Sequence, residues 1–169
     1  MKRSQLSILI ICSMFYAVLL GSCITAPVAH EKLDIVDVEI GDDIYRLEVA
    51  HTDEQRQRGL SSRSSLDIDE GMLFLFDEAQ RVSFWMRDTI LELSLAWIDE
   101  EGRIYEVVDL VPMSLELVTS PVKVIAAIEL PQGSFSRSEA LILDPIIIDQ
   151  CSLEKTTVLF PEMMTRCSR

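Results

Sequence analysis

The feature that most restricts this chain is its rhythm. Short apolar runs, alternating or continuous, are closed by turn signals at intervals near ten residues. Residues 33–35 and 38–40 alternate apolar with polar positions, and one slip at Val36-Asp37 predicts a bulge. Gly41-Asp42-Asp43 then turns the chain, and Tyr45, Leu47 and Val49 alternate with Arg46 and Glu48, so a hairpin is expected. At His51 the period changes. Thr52-Asp53-Glu54-Gln55 fits a capping box, with Gly59 as the stop, and leaves room for one or two helical turns. Residues 67–71 are polar and turn-like, 72–76 form a continuous apolar run, and 77–80 read as a turn. Further strands are expected at 82–86, 93–98, 104–108, 122–130 and 140–148, with a turn at 99–102. Long helical stretches, which βαβ units require, are missing. The pattern predicts a mainly β domain, a sandwich or a barrel.

The first 22 residues are a different material. Lys2 and Arg3 precede an uncharged, almost wholly apolar run over 6–20, about as long as a signal-peptide core and short for a spanning helix. It closes on Leu20-Gly21-Ser22-Cys23, which resembles the bacterial lipobox, in which the cysteine becomes the acylated N-terminus. The competing reading is an uncleaved apolar anchor with Cys23 incidental; either way the chain is tethered to a membrane. The expected organisation is a lipoprotein signal peptide at 1–22, a spacer at 23–32, a β-rich domain at 33–149 and a C-terminal tail at 150–169. Ile24 follows Cys23 where many inner-membrane lipoproteins carry Asp. The expected address is therefore the cell envelope, at the periplasmic face of the outer membrane if the organism is Gram-negative.

Cysteine usage fits an exported chain. Cys12 lies in the leader and Cys23 is the lipidation candidate, which leaves Cys151 and Cys167. Outside the cytoplasm such a pair can persist as a disulfide and stabilise the fold by about 3 kcal/mol; two buried free thiols are the alternative. The apolar fraction of 49% is enough for a core, and the formal charge of −13 comes without any Lys/Arg cluster. Nucleic acid, which requires such a cluster, is excluded as an expected partner.

Several segments together resemble a known family. They are Arg58-Gly59-Leu60 with Arg63, Glu70-Gly71-Met72-Leu73-Phe74 with Phe76, and Val82-Ser83-Phe84-Trp85-Met86-Arg87-Asp88-Thr89. Leu93, Ala96, Ile98-Asp99, Gly102 and Glu129-Leu130-Pro131 with Gly133 complete the order. In this order, over about 45–147, the chain resembles domain-of-unknown-function family 192, small and often exported prokaryotic domains. The resemblance implies a jelly-roll-like β-sandwich or barrel with one or two short helices, and no established activity. The chain departs from the family pattern at Ser61, usually Met; at Asp88, usually Asn; at Glu92 and Ser94, usually Pro and Asp; and at Leu143-Asp144-Pro145, usually a Gly-Asp turn.

Catalytic signatures are missing: the sequence has no nucleophile elbow, zinc helix, C-x-x-C pair or phosphate loop. The two histidines, His30 and His51, do not make a metal site, and the spacing of Asp67, Asp69 and Glu78 fails as a calcium loop because Met72 stands where the sharp turn needs Gly. No cofactor and no metal are expected. The candidate ligand-binding residues are Arg58, Arg63, Trp85, Arg87, Asp88 and Glu129. Trp85 is either an aromatic platform with Arg87 and Asp88 orienting a ligand, or a lid on a core formed by Phe84 and Met86. Arg58 and Arg63 either bind an anion at a pocket edge or pair with carboxylates. Glu129 ends the apolar run 124–128, so it requires an Arg partner or a place at the rim; a structural ion pair is preferred over a catalytic base. Trp97 and Tyr105 have the alternation of core residues.

Three functions follow as expectations. The first is an uncharacterised, noncatalytic envelope lipoprotein that binds a small ligand or an envelope protein. The second is a hydrolase of envelope carbohydrate, using two carboxylates among Asp88, Glu92 and Glu129 in one cleft. The third is a structural, partner-binding subunit of an envelope complex.

Overall fold

The structure is a computed structural model that describes residues 32–137, 143–149 and 165–166. The leader with Cys23, the Cys151 and Cys167 pair, and part of the strand expected at 140–148 lie outside the described residues. The fold is mainly β. Strands β1 (Ile35–Ile40) and β2 (Asp43–Ala50) form the expected hairpin, in which Gly41 supplies the positive φ of the turn. Their pairing is unbroken from Ile35↔Glu48 to Ile40↔Asp43, so no bulge forms at Val36-Asp37. Val36, Val38 and Ile40 keep one inward face, and the apparent slip is resolved by Ile35 turning outward.

Helix α1 (Asp53–Arg58) follows with the capping box complete. Thr52 Oγ1 accepts from the Gln55 amide, Gln55 Oε1 accepts from the Thr52 amide, and Gly59 closes the helix with φ 51°. This segment makes a crossover, so β3 (Glu70–Gln80) lies parallel to β2, while β8 (Val124–Pro131) pairs antiparallel with β3. The turn expected at 77–80 is instead the irregular end of β3, where the register with β8 shifts between Leu75 and Gln80. The short strands β4 (Ser83–Phe84) and β7 (Val118–Thr119) pair as a second sheet. The remaining elements are β5 (Leu93–Ile98), β6 (Ile104–Leu110), α2 (Ser134–Arg137), β9 (Ile147–Asp149) and β10 (Thr165–Arg166). The large sheet runs β10-β9-β1-β2-β3-β8-β5-β6 and curls into a half-barrel.

Alternation along the strands splits the core in two. One face collects Val38, Tyr45, Leu73, Ala96, Ile128 and Leu130, with Phe135 of α2 packed on them. The other collects Met72, Phe74, Leu95, Trp97 and Ala127, and Phe84 of β4 and Val118 of β7 pack against it. Trp97 is wholly buried, as its alternation predicts; Tyr105 is not, with 39% of its surface exposed on β6, the last strand of the sheet order among the described residues.

Candidate functional site

The second face is where the chain leaves room. On β8, Ala127 lies between Phe74 of β3 and Trp97 of β5. The Phe84 ring meets both edge-on, with centroids 4.8 Å from Phe74 and 5.5 Å from Trp97. One step along β8, Glu129 is flanked by Met72 and Leu95. A cavity of about 460 Å³ lies over this row. Its walls come from α1 and its exit (Asp53, Arg56, Arg58, Leu60), from β3 and β4 (Phe74, Phe76, Phe84), from the following turn (Trp85, Arg87, Asp88, Thr89) and from Leu117.

Glu129 defines the cavity chemically. It is 5% exposed, and no side chain or backbone group among the described residues gives its carboxyl a hydrogen bond or an ion pair. Burial alone pushes its pKa up to about 8, so the neutral acid dominates at pH 7. The expected ion pair with Arg58 or Arg63 does not form. Arg63 instead grips Glu48 through two hydrogen bonds of 2.7 and 2.6 Å and lies outside the cavity lining. Arg58 lines the cavity but has no ion pair or hydrogen bond among the described residues.

The turn after β4 aims its side chains alternately. Met86 is buried, whereas Trp85 is 37% exposed, and the Arg87 guanidinium stacks 4.0 Å from the centre of its ring. Arg87 Nε lies 3.9 Å from Asp88 Oδ2. Asp88 itself has φ 57°, a conformation that Asn and Asp tolerate better than other side chains. That accounts for the exchange of Asn for Asp: the backbone requirement survives it. The Asp88 carbonyl accepts from the Ser62 amide at 2.7 Å, which ties this turn to the exit of α1.

The structure thus brings Arg58, Trp85, Arg87, Asp88 and Glu129 around one cavity and leaves Arg63 and Glu92 off its lining. Two contributors had no signal in the sequence. Arg56 donates to the His51 and Leu75 carbonyls at 2.6 and 2.7 Å and to Asp53 at 2.6 Å, bracing one wall. Leu117 arrives from the exposed apolar segment Val111, Met113, Leu115 and Leu117 between β6 and β7. On the opposite face, Ser94 donates a hydrogen bond to Asp109 across the β5–β6 pair, so a carboxylate reaches position 94 from the neighbouring strand although the family's Asp is Ser here. Among the described residues no cluster of metal-ligating side chains occurs.

A small mainly β domain with one such cavity matches known proteins by sequence and by fold. The family model of domain-of-unknown-function family 192, an uncharacterised ACR, matches residues 36–142, and the chain belongs to that family. No curated protein matches it. A crystal structure from Sinorhizobium meliloti 1021, described only provisionally as a transcription regulator, is 28% identical with a TM-score of 0.63, covering 68% of this chain and 92% of its own. A protein of unknown function from Novosphingobium aromaticivorans DSM 12444 is 24% identical with a TM-score of 0.62, covering 71% of this chain and 88% of its own, and shares the fold.

Proposed function

We propose that this protein is a noncatalytic ligand-binding module of the cell envelope, lipid-anchored through Cys23. The observation that carries the binding role is Glu129, a buried carboxyl without a partner among the described residues, facing a cavity of about 460 Å³. That volume is in the range of small-ligand sites, and aromatic walls with a few polar groups are their usual lining. A buried polar group left unpaired costs roughly 1–3 kcal/mol, and a ligand that pairs with it recovers that cost on binding. Crystals of the full-length chain soaked with indole and benzamide should hold these probes against Phe84 and Glu129. Soaks that leave the cavity without either probe remove the binding role. The anchor rests on the leader and on Leu20-Gly21-Ser22-Cys23. Cells fed an alkyne-tagged fatty acid should label the wild-type protein and not Cys23→Ser; an unlabelled wild type overturns the anchor.

A second reading, hydrolysis of envelope carbohydrate, is favoured by one observation: Asp88 and Glu129 line the same cavity. Glu129, held as the acid, would protonate a leaving oxygen, and Asp88 would activate water. Turnover of envelope glycan fragments, lost in a fully folded Glu129→Gln protein, would establish it. Absence of turnover with the probes bound leaves the module noncatalytic.

A further inference from the structure

Six ionisable side chains line the cavity: Asp53, Arg56, Arg58, Arg87, Asp88 and Glu129. Four of them are already engaged. Arg56 pairs with Asp53 and two carbonyls, and Arg87 lies over Trp85 and near Asp88. The remaining two are opposite in kind, a carboxyl buried in the floor and an exposed guanidinium on the wall that follows α1. A ligand that pairs with both as charges needs a cation for the ionised carboxyl and an anion for the guanidinium. An ammonium and a carboxylate are that pair, and the carboxylate suits the Arg fork. Phe74, Phe76, Phe84 and Trp85 line the same cavity, and their ring faces attract cations and apolar bodies alike. The net charge of −13 also disfavours a purely anionic ligand.

We infer that the cavity takes a free α-amino acid with an aromatic side chain, its ammonium on Glu129, its carboxylate on Arg58 and its ring among the cavity phenyls. This rests on the binding role proposed above and names its ligand class. Binding has a chemical signature. Glu129 carries a proton at pH 7, and pairing with an ammonium requires the ionised form, so close to one proton leaves per ligand bound. Met72 and Leu95, its sheet neighbours, offer no group that could take the proton, and the other two carboxylates of the cavity, Asp53 and Asp88, are exposed and lie beside Arg56 and Arg87, so the proton goes to buffer.

Calorimetry on the full-length chain at pH 7 tests this with L-phenylalanine, N-acetyl-L-phenylalanine, 2-phenylethylamine and indole, each in phosphate and in Tris. L-Phenylalanine should bind at least tenfold more tightly than either analogue that lacks one charge, and its heat should differ between the buffers by the release of one proton. Glu129→Gln, checked for an intact melt, should weaken L-phenylalanine at least tenfold and abolish the buffer difference. Arg58→Ala, a change at an exposed side chain, should weaken L-phenylalanine about tenfold and leave 2-phenylethylamine unchanged. Equal affinity for the N-acetyl form, or no proton release, overturns the inference. If indole alone binds, the cavity stands and the amino-acid assignment falls; if none of the four binds, both fall.

Discussion

Strand β8 presents two faces made from the same few residues, and they have opposite characters. On one, Ala126, Ile128 and Leu130 are wholly buried among aliphatic and aromatic neighbours. On the other, Ala127 leaves space that Phe84 enters, and Glu129 sits beyond it beneath a cavity. Both faces share one backbone and one set of ladder hydrogen bonds, so the difference is carried by side chains alone. The first face is built to exclude water and nothing else. The second combines the same exclusion with a polar group that the fold does not satisfy, which separates a packing surface from a binding surface.

The sharpest way to break this contrast is to titrate it. Glu129 has a folded pKa of about 8 against an ordinary value of 4.5, so between those values the folded chain holds a proton that the unfolded chain gives up. Stability contributed by the neutral acid is complete below pH 4.5, declines as pH rises, and is gone above pH 8. The wild type should therefore lose stability relative to Glu129→Gln by an amount on the order of 5 kcal/mol across that window. Denaturant melts of both proteins at pH 5 and pH 9 measure the difference. Parallel stabilities at both pH values would mean that Glu129 is hydrated or paired, and the two faces would then be alike.

A second change attacks the spacing that both faces share. Gly71 opposes β8 so closely that a methyl group there would overlap the Glu129 carbonyl and approach Leu130 Cδ2 to 2.6 Å and Leu47 Cδ2 to 3.0 Å. Relief would require β3 and β8 to part, which affects the aliphatic face and the cavity floor together. Gly71→Ala should cost about 3 kcal/mol, read from the midpoint of chemical unfolding. A silent substitution would show that the strands have slack and that the cavity floor is not fixed.

Much of the frame was legible in the sequence because its signals are local. The Gly41 turn, the Thr52–Gln55 capping box and the Gly59 stop each occupy a few consecutive residues, and each appears as read. The bulge expected at Val36-Asp37 does not form, because Ile35, the last apolar position of the 33–35 alternation, is turned outward by the hairpin. The cavity was only half legible. Trp85, Arg87 and Asp88 share one turn and were found together, whereas Arg56 and Leu117 reach the site from α1 and from the loop before β7. Glu129 stands out in the sequence by its apolar surroundings, but its lack of a partner among the described residues depends on where Arg63 goes. Arg63 goes to Glu48, a pairing from the segment after α1 to strand β2 that no spacing in the chain announces.

The smallest test sharpens the contrast with a carboxylate shifted the other way. Asp109 is held below its ordinary pKa by the hydrogen bond from Ser94, reinforced by one from Gln132 and opposed by modest burial. It is an exposed residue, so the pairing is worth what one surface-accessible hydrogen bond is worth, about 1 kcal/mol. The sign is opposite to that of Glu129: a carboxylate with a lowered folded pKa stabilises above its ordinary value and loses that contribution as pH falls through the folded one. Ser94→Ala should therefore cost about 1 kcal/mol at pH 7, and the cost should shrink toward pH 2 as the Asp109 carboxylate takes up its proton. Ser94 Oγ also accepts from the Gly133 amide at 3.4 Å, and that bond is indifferent to pH. An equal loss at pH 7 and pH 2 would assign the effect to Gly133 and to packing rather than to the carboxylate. A loss confined to pH 7 would leave the two carboxyls of this sheet titrating in opposite senses, one kept ionised by a partner within the fold and the other kept neutral for want of one.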